Sequence, residues 1–255
     1  HLPGALLLLD EADQFLERDR QEDRACAEEL RALVQEGTCS LALAGYDTLY
    51  RAALSQSETA YNLGDLLFLG PLERAAAVQL TVEPLERMGT RWTDAALPER
   101  LVDALGGLPD LLQAAGRLLL LRLRGERAPT LSAEDLDAVL GGWCPPGEVE
   151  GMRQVLVSRV EVNLQGAAQA AVWLIAQQEQ FDLPDLHSRL AEAGFPLPSE
   201  SLNELAQCLI LSGICRRQGD VFRFSVPLLR EAIAALDVRF RIDQLRGGAA
   251  PASQG

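Results

Sequence analysis

Two adjacent acids close the first apolar run of the chain, in Ala5-Leu6-Leu7-Leu8-Leu9-Asp10-Glu11-Ala12-Asp13. Carboxylates at the carboxyl end of a buried strand suit one chemistry in particular. The Asp holds Mg²⁺, usually through water, and the neighbouring Glu polarises an attacking water, as phosphoryl-transfer enzymes require. The same pair also suits the N-cap and first turn of a following helix. The residues alone leave both readings open.

Other chemistries lack their parts. With only His1 and His187, there is almost nothing from which to build a zinc site or a Ser-His-Asp triad. All 23 basic residues are Arg, so a Schiff base, a lysine general base and the lysine of a G-x-x-x-x-G-K-[ST] phosphate loop are excluded. The formal net charge of −14 repels a phosphate backbone and argues against nucleic-acid binding by the protein as a whole. Five cysteines, without a C-x-x-C pair and mostly among apolar neighbours, read as reduced core residues of a cytoplasmic protein. No signal peptide or membrane span is evident, and a chain opening on His1 reads as a piece of a longer protein.

The acids need elements to position them. The run 5–9 predicts a strand buried on both faces of a parallel sheet, with Asp10 and Glu11 emerging at its carboxyl end, where open α/β sheets bind ligands. An amphipathic helix is expected over 24–36, ended by Gly37. A second buried strand follows at 40–44, then a short helix near 46–54, a loop over 55–64, and a third apolar run, Leu66-Leu67-Phe68-Leu69, before Gly70-Pro71. Helices alone are predicted next: 72–88 bent at Pro84, 93–105, 109–123, and 132–140 opened by a Ser-x-x-Asp box. Residues 124–129 read as a linker, and Gly141 to Gly147 as a boundary. The last third predicts helices near 150–163, 166–179, 183–193 and 201–211, the fourth opened by Ser201-x-x-Glu204. A hairpin of 214–217 with 221–225 and a closing helix over 227–236 complete a winged helix-turn-helix. His187 is expected on an exposed helix face, Trp92, Trp143 and Trp173 in cores, and the tail 247–255 disordered.

In order and spacing these motifs resemble the second half of an AAA+ or STAND-type P-loop ATPase, of the kind related to origin-recognition and archaeal ATPases, over most of the chain. Residues 6–13 look like the Walker B strand, and Leu41-Ala42-Leu43-Ala44-Gly45-Tyr46-Asp47 like the strand carrying sensor 1. Residues 68–72 and 84–89 look like the start of the helical lid, and Gly106-Gly107-Leu108-Pro109 like its G-G-x-P segment. The resemblance implies an α/β fold, a partial parallel P-loop sheet over 1–71, followed by an all-α lid over 72–142 and a winged helix over 148–246, mostly α in total. It implies that Asp10 holds Mg²⁺, that Glu11 activates water, and that Tyr46, Gly107 and Pro109 lie against ATP, the cofactors belonging to the full-length protein. Gly106-Gly107-x-Pro109 also reads as an interhelical turn with Pro at N1.

The departures are specific. Tyr46 and Asp47 replace the small polar residue usual at sensor 1, Asp110 follows the proline where an arginine is expected, and Arg117 lies two turns further on. By the family's strand order, a missing first strand belongs between 40–44 and 66–69, so this chain should have a gap in its sheet exposing apolar edges. The phosphate loop belongs upstream. In the helix before the hairpin, Glu200, Asn203, Glu204 and Gln207 offer no cation to DNA, while the wing carries Arg216, Arg217 and Arg223. The readings are therefore an ATP-dependent switch acting on a protein partner or its own effector domain, a winged-helix DNA-binding regulator acting through the wing, and a nucleotide-free interaction scaffold. Arg117, Arg122 and Arg124 read either as an arginine finger or as a basic helix C-terminus.

Overall fold

The structure, a computed structural model, describes residues 4–22, 24–123, 129–142 and 164–248. The chain divides into two compact units, His1–Leu69 and Gly70–Gly255.

In the first unit, β1 (Ala5–Leu9) and β2 (Cys39–Leu43) pair in parallel, with Leu7 opposite Leu41 and Leu9 opposite Leu43. The crossover holds α1 (Ala12–Gln21) and α2 (Ala25–Gln35), and α3 (Asp47–Leu54) follows β2. Buried Asp19 fixes the α1–α2 turn by accepting the Cys26 and Ala27 amides, which leaves Arg24 in the left-handed region. Arg24 and Arg31 pin the following loop by donating to the carbonyls of Ser57, Thr59 and Tyr61. The core here is small: Leu16, Ala27, Ala52 and Ala60, with Phe15 and Leu49 against it.

Two expectations change at this sheet. β1 is not buried on both faces, since Leu6 and Leu8 are 61% and 67% exposed. Residues 66–69 form no strand, and Leu67 and Leu69 are 87% and 98% exposed. The cause is common to both. A strand exists only with a neighbour to bond, and among the described residues none lies beside 66–69 or on the free edge of β1.

The second unit is helical. α4 (Arg74–Arg87) continues through Pro84, α5 spans Ala96–Leu105, α6 Pro109–Arg122 and α7 Ala133–Gly141. The region is not purely α, because β3 (Arg91–Trp92) pairs in parallel with β4 (Thr130–Leu131), so α5 starts later than predicted. Leu101, Leu105, Leu112, Leu119, Leu131 and Leu136 fill one core. α8 (Gln165–Ala176), α9 (Leu183–Glu192), α10 (Ser199–Leu211), the antiparallel β5 (Cys215–Gln218) and β6 (Val221–Phe224), and α11 (Pro227–Ala234) build another around Trp173, Leu190, Leu205 and Leu209. α12 (Val238–Gly248) takes in Gly247 and Gly248, the first residues of the tail predicted to be disordered.

Ser201 is not a cap. α10 begins two residues earlier, after Pro198, which places Ser201 inside the helix. His187 is half-buried, with Nε2 2.8 Å from the Leu197 carbonyl. Cys26 is exposed whereas Cys208 and Cys215 are buried, and burial pushes the Cys215 thiol far up. Trp92 donates to the Thr81 carbonyl at 3.3 Å. Trp143, Cys144, Arg124 and the helix expected over 150–163 lie outside the described residues.

The predicted Ser-x-x-Asp box is present: Asp135 N–H donates to Ser132 Oγ, and Asp135 Oδ2 accepts from Ser132 N–H and its hydroxyl. These bonds hold the Asp135 carboxyl below its ordinary value, the Ser132 hydroxyl first, with Arg122 adding to it. A depressed carboxylate contributes stability at neutral pH that is lost as pH falls through its folded pKa. Ser132→Ala should therefore cost about 1 kcal/mol in urea denaturation at neutral pH and progressively less on acidification.

Candidate functional site

Parallel pairing brings two loops to one end of the first sheet. β1 delivers Asp10 and Glu11, both exposed, and β2 delivers Ala44, Gly45 and Tyr46 beside them. Asp10 Oδ1 accepts the Glu11 amide at 2.9 Å. Glu11 stands at φ 55 and ψ 38, a left-handed conformation that costs a non-glycine residue about 1–3 kcal/mol. It ends the strand and opens α1 in one step. Its Oε2 accepts from Gln14 Nε2 at 3.3 Å.

The second loop is bonded to the first. Ala44 N–H donates to the Leu9 carbonyl at 2.8 Å, and Ala12 N–H to the Ala44 carbonyl at 2.9 Å. Asp13, half-buried two residues beyond Glu11, accepts the Tyr46 amide at 2.5 Å and the Leu49 amide at 3.1 Å. It thereby serves the N-terminus of α3, whose amides have no intrahelical acceptor. Gly45 is required there, because a Cβ would lie 2.2 Å from Asp13 Oδ2. Tyr46 is 51% exposed.

Gly107 and Pro109 belong to the second unit. Gly106 caps α5 at φ 71, Gly107 follows at φ 76, and Pro109 takes N1 of α6. Gly107 is buried and its carbonyl accepts the Leu72 amide at 2.9 Å, so these residues build an interhelical turn. Asp110 is exposed after the proline. Arg117 lines a groove of about 470 Å³ with Leu80, Pro84, Met88, Gln113 and Gly116, which contains none of Asp10, Glu11, Tyr46, Gly107 and Pro109. Arg122 is paired with Asp135.

Among the described residues no cluster of three or more His, Cys, Asp or Glu side chains can hold a metal alone. Asp10 with Glu11 fits Mg²⁺ in another way, since this ion is held by one or two carboxylates completed by water and phosphate oxygens. Asp10 Oδ2 has no hydrogen bond of its own here. The Asp13 carboxylate is engaged by the Tyr46 and Leu49 amides. Its place in the motif was plain in the sequence, but its partners, more than thirty residues away, were not.

No protein-family model matches the sequence, and no curated protein sequence matches it significantly. Solved structures do. A Walker-type ATPase of Pyrococcus abyssi is similar over 89% of this chain and 62% of its own, at 17% identity and a TM-score of 0.57. The Aeropyrum pernix ORC2 protein, solved in ADPNP–ADP complexes, is similar over 96% of this chain and 66% of its own, at 15% identity and a TM-score of 0.54. This chain therefore shares its fold with the parts of these two proteins that it covers. This chain spans less than two thirds of either protein's length.

The glycines allow a direct check on the turn. A Cβ on Gly106 would lie 1.7 Å from the Ser225 carbonyl oxygen, whereas one on Gly116 meets nothing within 4 Å. Gly106→Ala should lower unfolding free energy by at least about 2 kcal/mol through strain and overlap. Gly116→Ala should raise it by about 0.5–1 kcal/mol, through helix propensity. Urea melts of both variants measure the contrast.

Proposed function

We propose that this chain is the C-terminal part of an ATP-binding and ATP-hydrolysing switch of the AAA+/STAND kind, made of half an ATPase core, a helical lid and a winged helix. The observation that carries the reading is the shared exit of two loops from the β1–β2 ladder, which sets Asp10 and Glu11 beside Gly45 and Tyr46. Asp10 holds Mg²⁺, and the ion neutralises phosphate charge. Glu11 orients and polarises water, and Tyr46 meets the phosphate end of the nucleotide. Gly107 and Pro109 form the lid turn that approaches ATP. The exposed leucines of β1 and of 66–69 support the view that further strands of the full-length protein complete the sheet, bringing the phosphate loop with them.

The winged helix is supported by the last three-helix run and its hairpin. Phe181, between α8 and α9, exchanges both backbone hydrogen bonds with Phe222 of β6, adding a third short strand to the hairpin. Its role in this proposal is docking to a protein partner or to the protein's own effector domain. One observation favours DNA instead: β5 and β6 place Arg216 directly opposite Arg223, so two like charges share a face that an anion would relieve. α10 argues the other way with exposed Glu200 and Asn203. A salt-sensitive gel shift of duplex DNA, lost in an Arg216→Ala/Arg217→Ala variant, would establish the DNA reading.

No helix among the described residues is long and apolar enough to cross a membrane. The proposed site is cytoplasmic by its ATP dependence. The decisive test is on the full-length protein: Glu11→Gln should abolish hydrolysis and spare ATP binding, and an unchanged kcat rejects Glu11 as the base. Calorimetry on residues 1–255 alone should detect negligible ATP binding, and micromolar binding would refute the need for a phosphate loop elsewhere.

A further inference from the structure

We propose that Asp13 is a positioning residue that locks the Gly45–Tyr46 loop to the Asp10–Glu11 pair, so that nucleotide-dependent movement of either loop moves both. This role rests on the ATPase reading above. Three observations carry it. Asp13 sits two residues beyond Glu11, with its oxygens divided between the amides of Tyr46 and Leu49 at 2.5 and 3.1 Å. The backbone between these points is fixed as well, through Ala12 N–H to the Ala44 carbonyl at 2.9 Å. At Gly45 there is no room for a methyl group, because Asp13 Oδ2 would be 2.2 Å and Leu49 Cβ 3.1 Å away.

An aspartate meets this geometry and its near relatives do not. A carboxylate presents two acceptors to two N–H donors, and its negative charge faces the positive end of α3. Asn keeps the shape but turns an NH₂ toward one donor. Ala removes both acceptors. The unusual φ of Glu11 makes the lock consequential: with Leu9 held in the ladder and Asp13 held by α3, the backbone of Glu11 is fixed from both sides in its left-handed conformation. Movement of Tyr46 against a phosphate is thus transmitted to the carboxylate of Glu11 through two residues of chain.

The experiment uses the full-length protein with Asp13→Asn, Asp13→Ala, Gly45→Ala and the Asp13→Ala/Gly45→Ala double variant, each checked for folding by circular dichroism. Amide exchange and steady-state ATP hydrolysis are read together. The expected result is faster exchange confined to the Tyr46 and Leu49 amides. With it, kcat should fall by about 10- to 100-fold, the usual loss when support of an active-site group is removed, while KM for ATP is unchanged. The double variant should be no worse than Asp13→Ala, because alanine at 13 vacates the space that the Gly45→Ala methyl needs. Unchanged exchange in Asp13→Asn overturns the proposal. So does faster exchange with wild-type kcat, which would make Asp13 a helix cap only. Should either Asp13 variant fail to fold, Gly45→Ala, which displaces the carboxylate without deleting it, decides by the same two readouts. A wild-type protein that does not hydrolyse ATP rejects the hydrolase reading, and with it the claim that the lock serves hydrolysis; the exchange data then separately accept or reject the lock.

Discussion

A parallel ladder makes neighbouring strands end on the same side, and in the first unit that single fact brings the two candidate loops together. With Leu9 opposite Leu43, the residues that follow each strand have nowhere to go but past one another. The acids at 10 and 11 and the loop at 44–46 meet through backbone geometry before any side chain acts. The same ladder explains what is missing from the unit. Two strands cannot cover their own faces, so leucines suited to a continuous sheet stand in solvent, and the segment 66–69, chemically a strand, joins no sheet among the described residues. A small core of Leu16 and three alanines then leaves little to stabilise the rest.

The second unit has the opposite character. Its two cores share wall residues, since Leu111 and Leu228 pack against both. The turn at Gly106 brings the backbone between α5 and α6 onto the carbonyl of Ser225, just beyond the hairpin. Interiors joined at native density transmit displacement instead of absorbing it. A displacement of the α5–α6 turn would therefore be felt at the hairpin.

What was legible in the sequence was whatever depends on near neighbours. The run of leucines ending in Asp10-Glu11, the Ser132 box and the glycine at the end of α5 declare themselves within a few residues, and each is found close to its predicted place. Features that depend on distant partners were not legible. Composition makes 66–69 a strand, but strandhood is conferred by a neighbour. The Ser201-x-x-Glu204 pattern is a sound cap in isolation, yet Pro198 offers an earlier start at which φ is already set for the turn into the helix. His187 looked exposed because its acceptor, the Leu197 carbonyl, is on the loop after its own helix. Asp13 is the sharpest case: it reads as an ordinary first-turn acid and serves a different helix.

The absence of lysine, which first appears as a bias of composition, becomes a constraint on where phosphate charge is balanced. Under the proposed function, a triphosphate beside Asp10 and Glu11 would need countercharge, and a divalent ion alone would leave the sum negative. The first unit has five arginines. Arg18 and Arg20 pair with Glu22 and Glu58, Arg24 and Arg31 hold the 57–61 loop, and Arg51 is engaged as well. None of the four whose partners are described is paired with the acids at 10 and 11, and withdrawing Arg20, Arg24 or Arg31 would release the 57–61 loop. Under the proposed function, the countercharge would therefore have to come from beyond these four arginines. That requirement follows from charge alone, and on the proposed reading it makes the acids of β1 one half of a site.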